Sequence, residues 1–247
     1  MNEQNIKLYG EISITNEYGK DILTEFNIDS TDFKLIGTSK LLSDTGYQGY
    51  AYLNEKTNEI IVVHEGSVNP LNNFFENLDE INNDWISADG STLQGKLLPQ
   101  FNEAETFLNS IKANNQDAKI IQVGQSLGGT ISELLGALDE NKDIETYTYN
   151  SFGAGRAVDD LISQGKVLSD DNSNIYNFTY KNEFVSKINP HIGSVYVSDT
   201  TETGKGIETF HRVQTHFENG GLEYKLDENP IALSGIIDGA SLLLDFS

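Results

Sequence analysis

Residues 120–135 read IIQVGQSLGGTISELL, and this stretch decides the fold of the chain. A short apolar run ends in a Gly-x-Ser-x-Gly motif that has Ser126 at its centre. Apolar residues then recur at helical spacing, at Leu127, Ile131, Leu134, Leu135 and Leu138. The pattern predicts a buried strand, a sharp turn and an amphipathic helix, which is the context that a nucleophilic serine requires.

The glycines around Ser126 have a physical role in such a turn. The serine occupies a strained backbone conformation, and neighbours without a Cβ let the strand and the helix pass close together. The helix that follows directs its first N–H groups at the serine and stabilises developing negative charge. We interpret Ser126 as a nucleophile. The alternative is a glycine-rich turn without chemistry, because the motif alone is a weak signal.

The composition bounds the function. The chain has 247 residues, with 38 acidic and 16 basic side chains and a net charge of −22, which argues against binding to nucleic acid or anionic membranes. It has no cysteine, so it forms no disulfide. No apolar run approaches the roughly 20 residues of a membrane span. The N-terminus lacks the basic and apolar regions of a signal peptide, so none is expected.

Strand and helix patterns alternate along the chain. The predicted strands lie at residues 45–54, 59–64, 120–125, 145–150, 175–180 and 192–197, the first two as a hairpin. Predicted helices follow Pro99, Ser126 and Arg156. Glycine-rich exits follow several of the strands. The order predicts one α/β domain, residues 1–247, with a mostly parallel sheet.

Three segments lie outside this pattern. Residues 1–44 predict a peripheral segment of helices or short strands at the edge of the main body. Residues 68–98 are rich in Asn and Asp and form a candidate lid or acyl-binding wall, with an ordinary surface helix as the alternative. The apolar side chains of this candidate lid include Phe74, Phe75 and Trp85. The apolar tail, residues 229–247, predicts a final helix or a junction to a neighbouring domain.

A serine nucleophile needs a base and an acid that orients the base. In α/β-hydrolases the chain order is Ser, then Asp or Glu, then His. Three of the four histidines, His191, His211 and His216, follow Ser126. His64 precedes it inside a predicted strand and is interpreted as a satisfied core or pocket-edge histidine. His191, beside a proline in a loop, is interpreted as structural or substrate-facing.

Residues 124–129 resemble the Gly-His-Ser-Leu-Gly-Gly elbow of the class 3 lipases, which include fungal triacylglycerol lipases and phospholipase A1-like bacterial proteins. Residues 63–67 are similar to the family strand that ends in Phe-Arg-Gly-Ser/Thr, and residues 150–155 to its second glycine-rich strand exit. Residues 182–190 resemble the segment that carries the acid, and residues 216–219 the terminal histidine motif. The resemblance covers roughly residues 45 to 220.

This resemblance implies an α/β-hydrolase fold, with a central mostly parallel sheet flanked by helices and a lid-like insertion. It implies that Ser126 is the nucleophile, Glu183 the acid and His216 the base. The backbone N–H groups of Leu127 and Ser67 would form the oxyanion hole.

The chain departs from the family pattern at three positions. Gln125 stands in place of the elbow His, Glu65 in place of an Arg, and Glu183 in place of the commoner Asp. Asp199 is therefore a rival acid, and His211 is a rival base.

The resemblance implies a serine carboxylic-ester hydrolase, a lipase or phospholipase A1, that acts on lipid acyl esters without a cofactor or metal and contacts lipid interfaces transiently. The alternatives are another serine hydrolase, a thioesterase or peptidase, and a non-catalytic binding module on the same fold. Residues 170–172, Asp-Asp-Asn, fit no defined calcium loop and are expected to form a solvated face. A secreted or exported protein is favoured over a cytoplasmic one.

Overall fold

The structure is a computed structural model that describes residues 3–13, 32–39, 45–65, 98–181, 185–198 and 224–228. Within these ranges one eight-stranded sheet forms, and its strand order equals the chain order. The strands are β1 (Phe33–Thr38), β2 (Gly49–Asn54), β3 (Glu59–His64), β4 (Lys119–Gln125), β5 (Glu145–Tyr149), β6 (Ile175–Tyr180), β7 (Ser194–Ser198) and β8 (Tyr224–Leu226). Strands β3 to β7 are parallel, whereas β2 pairs antiparallel with β1 and β3, and β8 pairs antiparallel with β7. The predicted mostly parallel α/β sheet is confirmed.

Helices cover both faces of the sheet. They are α1 (Glu3–Ser13), α2 (Phe101–Asn114), α3 (Ser126–Gly136) and α4 (Val158–Ser163), with short 3₁₀ turns at Asp139–Asn141, Gly155–Ala157 and Val185–Lys187. Right-handed crossovers between parallel strands that advance in one direction place their helices on one face. Accordingly, α2, α3 and α4 share one hydrophobic core, and α1 packs in a second core on the opposite face.

Strand β3 separates these two cores, because its successive side chains point to opposite faces of the sheet. Ile60 and Val62 belong to the core under α2 and α3, while Ile61 and Val63 belong to the core under α1. Every residue of β3 after Glu59 is buried, which confirms the prediction of a strand covered on both faces.

The described parts of the N-terminal segment are β1 and α1. Strand β1 forms an edge of the sheet, and α1 lies on a sheet face, where it covers an aromatic layer. The Tyr9 ring lies 4.7 Å from the Tyr147 ring, and Tyr149 Oη donates to the carbonyl of Ile6 at 2.6 Å. These contacts make α1 part of the main body.

Helix α3 is buried on all sides, including the polar side that carries Ser126, Thr130 and Glu133. It follows the central strand β4 and packs against β4, β5 and α2, which leaves no face for solvent. Within the helix, Ser132 Oγ donates to the carbonyl of Gly128 at 2.9 Å. The helix ends at Gly136, and Leu138 joins the same core from beyond it.

Several predicted segments lie outside the described residues. These are most of the candidate lid, residues 68–97, and the tail, residues 229–247. Among the described helices, none is long and apolar enough to cross a bilayer.

His64 closes β3 inside a buried polar chain. Its Nε2 lies 3.2 Å from Gln122 Oε1, and its Nδ1 lies 2.7 Å from Tyr47 Oη. Gln122 uses its amide N–H to donate to Thr146 Oγ1 at 2.8 Å, so its oxygen accepts from Nε2–H and Tyr47 donates to Nδ1. Complete burial lowers the pKa of His64 to about 4, and the ring is neutral. The prediction of a satisfied core histidine is confirmed.

We expect His64 to make the fold sensitive to mild acid. The ordinary pKa of 6.5 applies in the unfolded chain, and the folded-state pKa is about 4. The unfolded state therefore binds more protons between these values, and stability falls as the pH decreases through that window. Going from pH 7 to pH 5, this one group should lower the free energy of unfolding by about 2 kcal/mol.

Urea unfolding of the wild type and of His64→Gln at both pH values tests this expectation. The variant should lose about 2 kcal/mol less than the wild type over the same pH change. Equal losses in the two proteins would contradict the assignment of a buried neutral ring.

Candidate active site

Ser126 lies where the central strand β4 ends and α3 begins. Its φ is +55°, in the left-handed region that costs an L-residue roughly 1–2 kcal/mol. The side chain is buried, and its Oγ has no hydrogen-bond partner among the described residues. The predicted strained turn is therefore present, and it holds a buried hydroxyl whose bonding capacity is unused by the described part of the chain.

Close backbone approaches explain the glycines of the motif. A Cβ on Gly128 would lie 2.0 Å from the carbonyl oxygen of His64, and one on Gly124 would lie 2.2 Å from the carbonyl oxygen of Gly128. A Cβ on Gly129 would lie 2.7 Å from the Cβ of Ser151. No side chain fits at these distances. The glycines thus let the exits of β3, β4 and β5 converge at Ser126.

The exit of β5 adds a second strained residue. Asn150 has a φ of +46°, and it directs the chain into Ser151 next to α3. Ser151 Oγ donates to Glu133 Oε1 at 2.6 Å and accepts from the N–H of Gly153 at 3.1 Å. Thr130 Oγ1 lies 3.3 Å from the same oxygen. The β5 exit is therefore fastened to α3 by side-chain hydrogen bonds.

Glu133 is a buried carboxyl group of this site. It lies on α3, fully buried, and its carboxylate is contacted by Ser151, by His191 Nδ1 at 2.9 Å and by the N–H of Ile192 at 2.9 Å. His191 Nε2 lies 2.7 Å from the carbonyl oxygen of Ser186. The sequence predicts that His191 is either structural or substrate-facing. Both of its ring nitrogens contact protein groups, which supports the structural interpretation.

Glu133 is not among the residues that the sequence predicts for the site. Its position could have indicated a role, because it is the sole ionisable residue between positions 126 and 138, in a stretch of apolar and small residues. Burial of a carboxylate in such a helix costs free energy unless other groups of the fold bond to it, so this position indicates a specific role.

Of the residues predicted to form the site, Ser126 and Leu127 are described, and they are adjacent at the start of α3. The others lie outside the described residues: Ser67, Phe74, Phe75, Trp85, Glu183 and His216, together with the rivals Asp199 and His211. The catalytic triad as a whole stays a prediction. Glu65, which stands where the family pattern has an Arg, is buried directly after β3. Its N–H donates to the carbonyl of Gln48 at 2.9 Å.

No group of three or more His, Asp or Glu side chains could hold a metal ion within the described ranges. In the acidic segment at residues 170–172, the Asp171 carboxylate accepts the N–H of Ser173 at 2.9 Å. This backbone hydrogen bond lowers the pKa of Asp171.

The strain at Ser126 predicts an unusual order of stabilities. Ser126→Gly should be about 1 kcal/mol more stable than Ser126→Ala, because only glycine adopts the positive φ without a steric cost. The same pair of changes at Ser132, inside the regular part of α3, should show the opposite order, since glycine costs a helix interior about 1 kcal/mol relative to alanine. Thermal or urea unfolding of the four variants measures both differences. The same order at the two positions would contradict the strained geometry.

Comparison with known proteins gives a likeness in structure rather than in sequence. No protein-family model matches the sequence, and no curated protein matches it. Solved lipase structures do match. Lipase II from Rhizopus niveus has a TM-score of 0.54 and 16% identity, over 93% of this chain and 85% of that chain.

Two further lipases match to a similar degree. The lipase from Rhizopus microsporus var. chinensis has a TM-score of 0.52 and 17% identity, over 87% of this chain and 85% of that one. A triacylglycerol lipase described as having a serine protease triad at its catalytic centre has a TM-score of 0.54 and 14% identity, over 86% of this chain and 92% of that one. At these identities the likeness concerns the fold: the chain has the lipase-like α/β-hydrolase fold of the fungal triacylglycerol lipases.

Proposed function

We propose that this protein is a serine carboxylic-ester hydrolase that acts on lipid acyl esters, with Ser126 as its nucleophile. The observation that carries the proposal is the strained Ser126 at the end of the central strand, with a buried hydroxyl that no described residue engages. A backbone conformation that costs free energy is retained where function needs it. The fold supports the same reading, because the solved structures that share it are lipases.

In the proposed mechanism Ser126 Oγ attacks the ester carbonyl carbon while His216 accepts the hydroxyl proton. The tetrahedral intermediate collapses, the bond to the alkoxy oxygen breaks, and His216 protonates the leaving alcohol. Water, deprotonated by His216, then attacks the acyl-enzyme and releases a carboxylic acid and the serine. Glu183 accepts the second ring N–H of His216 and stabilises the imidazolium.

Negative charge on the reacting oxygen is the main electrostatic problem of this reaction. The N–H groups of Leu127 and Ser67 would donate to that oxygen. Leu127 is the second residue of α3, where helical N–H groups have no intrahelical acceptor and the helix dipole is positive. Removal of one such donor in a hydrolase costs roughly 10²–10³ in kcat, which gives the size of the effect proposed here.

Apolar residues of the candidate lid suggest the substrate class. Phe74, Phe75 and Trp85 would provide an acyl-binding surface, so lipid or medium-chain esters are proposed over small polar ones. The net charge of −22 opposes docking on anionic lipid, so the transient lipid contact is proposed for uncharged interfaces.

Fluorophosphonate labelling followed by intact-mass measurement tests the nucleophile. The wild type should gain one adduct, Ser126→Ala should gain none, and His216→Ala should react at least 10²-fold more slowly because the base is missing. Ser132→Ala is the matched control: it removes another buried serine of α3 and should label like the wild type.

Labelling that persists in Ser126→Ala would overturn the nucleophile. A folded wild type that stays unlabelled in buffer and in detergent micelles would favour the non-catalytic alternative. The rivals are resolved by the same rates, since Glu183→Gln and His216→Ala should be slow and Asp199→Asn and His211→Ala should be fast.

A panel of p-nitrophenyl esters tests the substrate class. Esters of about eight carbons or more should be cleaved with at least tenfold higher kcat/KM than the acetyl ester, because each buried CH₂ contributes about 0.8 kcal/mol of binding. Triacylglycerol and phosphatidylcholine emulsions then separate the two lipid classes. Activity confined to acetyl esters, or faster cleavage of amides than of esters, would contradict the proposal.

A further inference from the structure

We infer that the buried Glu133–His191 pair is a positioning device, which fixes the loop proposed to carry the catalytic acid against the helix that carries Ser126. The inference rests on the proposed function, because it assigns the pair a role in that reaction. The loop in question joins β6 to β7 and spans residues 181–193, hereafter the β6–β7 loop. Glu183 lies near its start and His191 near its end.

Glu133 accepts hydrogen bonds from two segments, the exit of β5 and the end of the β6–β7 loop. Its Oε1 accepts from Ser151 Oγ at 2.6 Å and from His191 Nδ1 at 2.9 Å, and its Oε2 accepts the N–H of Ile192 at 2.9 Å. Ser151 belongs to the exit of β5, whereas His191 and Ile192 belong to the β6–β7 loop. One carboxylate on α3 therefore holds both segments at fixed distances from the same helix.

The hydrogen bonds of His191 determine its charge. Nδ1 faces the Glu133 carboxylate, and Nε2 lies 2.7 Å from the carbonyl oxygen of Ser186. Both of these neighbours are acceptors, and a neutral imidazole has only one N–H. Beside an ionised Glu133, a neutral ring would point a lone pair at an oxygen less than 3 Å away. We therefore assign the ring as an imidazolium ion that is paired with an ionised Glu133.

Burial makes this ion pair strong and directional. The Glu133 side chain is 0% exposed and the His191 side chain is 5% exposed, so water screens the attraction little. The carboxylate with three donors and the ring with two acceptors have their principal bonding capacity satisfied. A pair of this kind fixes geometry because any displacement leaves a buried charge without its partner.

The β6–β7 loop transmits this anchoring toward Glu183. His191 holds the carbonyl of Ser186, three residues after Glu183, and Ser186 Oγ lies 2.6 Å from Thr179 Oγ1 on β6. At the other side of the loop, the carbonyl of Pro190 accepts the N–H of Gly155 at 2.7 Å. The described part of the loop after Glu183 is thus held to β6 through Ser186 and to α3 through His191.

The distance along α3 completes the connection. Glu133 is seven residues after Ser126, which is about 10 Å along a rigid, fully buried helix. Helix α3 therefore carries the nucleophile and also holds the β6–β7 loop, which carries the proposed acid. Loss of the pair should displace the acid, misorient His216 and lower kcat, while KM changes little because the acyl-binding surface is untouched. A misplacement near 1 Å can cost about 10²-fold in rate.

The test uses the full-length chain and the variants His191→Phe and Glu133→Gln. His191→Phe keeps a ring and removes both donors, and Glu133→Gln keeps the shape and removes the charge. Active sites are counted by fluorophosphonate burst, so kcat is obtained per active site rather than per mole of protein. We expect kcat per site to fall at least tenfold in both variants, with KM within about twofold of the wild type.

Asn141→Ala is the matched control for lost stability. Asn141 is buried, its amide donates to the carbonyl of Leu135 at 2.9 Å, and it fastens the opposite end of α3. This variant should be destabilised but keep the wild-type kcat per site. If the Glu133–His191 pair were merely structural, its variants would behave like Asn141→Ala, and that result would overturn the inference.

Nitrogen-15 NMR of the wild-type histidine rings gives a readout that needs no variant to fold. At pH 7 His191 should show two protonated ring nitrogens, and a ring with a single N–H would overturn the inference. The two proposals fail differently. A wild type inert to esters and to the fluorophosphonate overturns both, whereas an active wild type with unchanged kcat in both variants overturns only the role of the pair.

Discussion

The contact between the backbone of α3 at Gly128 and the carbonyl of His64 at the end of β3 constrains the rest of the structure. A Cβ at Gly128 would lie 2.0 Å from that oxygen, so the strand and the helix touch through their backbones alone. The left-handed conformation of Ser126 turns the chain from β4 into α3 at this contact. The strained φ of Ser126 and the close approach at Gly128 therefore belong to the same turn.

The interior around this contact contains several buried polar side chains, namely His64, Glu65, Gln125 and Glu133. On one side of the elbow His64 is neutral, with each ring nitrogen matched to a neutral partner. On the other side Glu133 Oε1 lies 2.9 Å from His191 Nδ1. The buried surroundings of Ser126 therefore combine a neutral chain of hydrogen bonds with the contact between Glu133 and His191 and with the side chain of Glu65.

Sequence predicted the parts of the fold that local patterns encode. The apolar run before Gly124, the glycines after Ser126 and the alternation of strands and helices all correspond to described elements. It did not predict that α3 is buried on every face, because burial depends on which neighbours a helix meets and not on its own periodicity. Strand β8, three residues long, carries no periodic signal, and its partner is set by the sheet edge. The roles of Glu133 and His191 are likewise set by contacts between residues 58 positions apart, which spacing rules do not reach.

The identity of strand order and chain order has a consequence for synthesis on the ribosome. Each strand after the first pairs with the one made just before it, so the sheet can grow by addition as the chain emerges. Helix α1 is the exception, because Tyr149 bonds to Ile6 across a separation of 143 residues. Helix α1 must wait for β5 before it can make this bond, whereas β4 and Ser126 are made before β5. On a nascent chain, this part of the sheet would thus be available before Glu183 and His216, the proposed acid and base, are made.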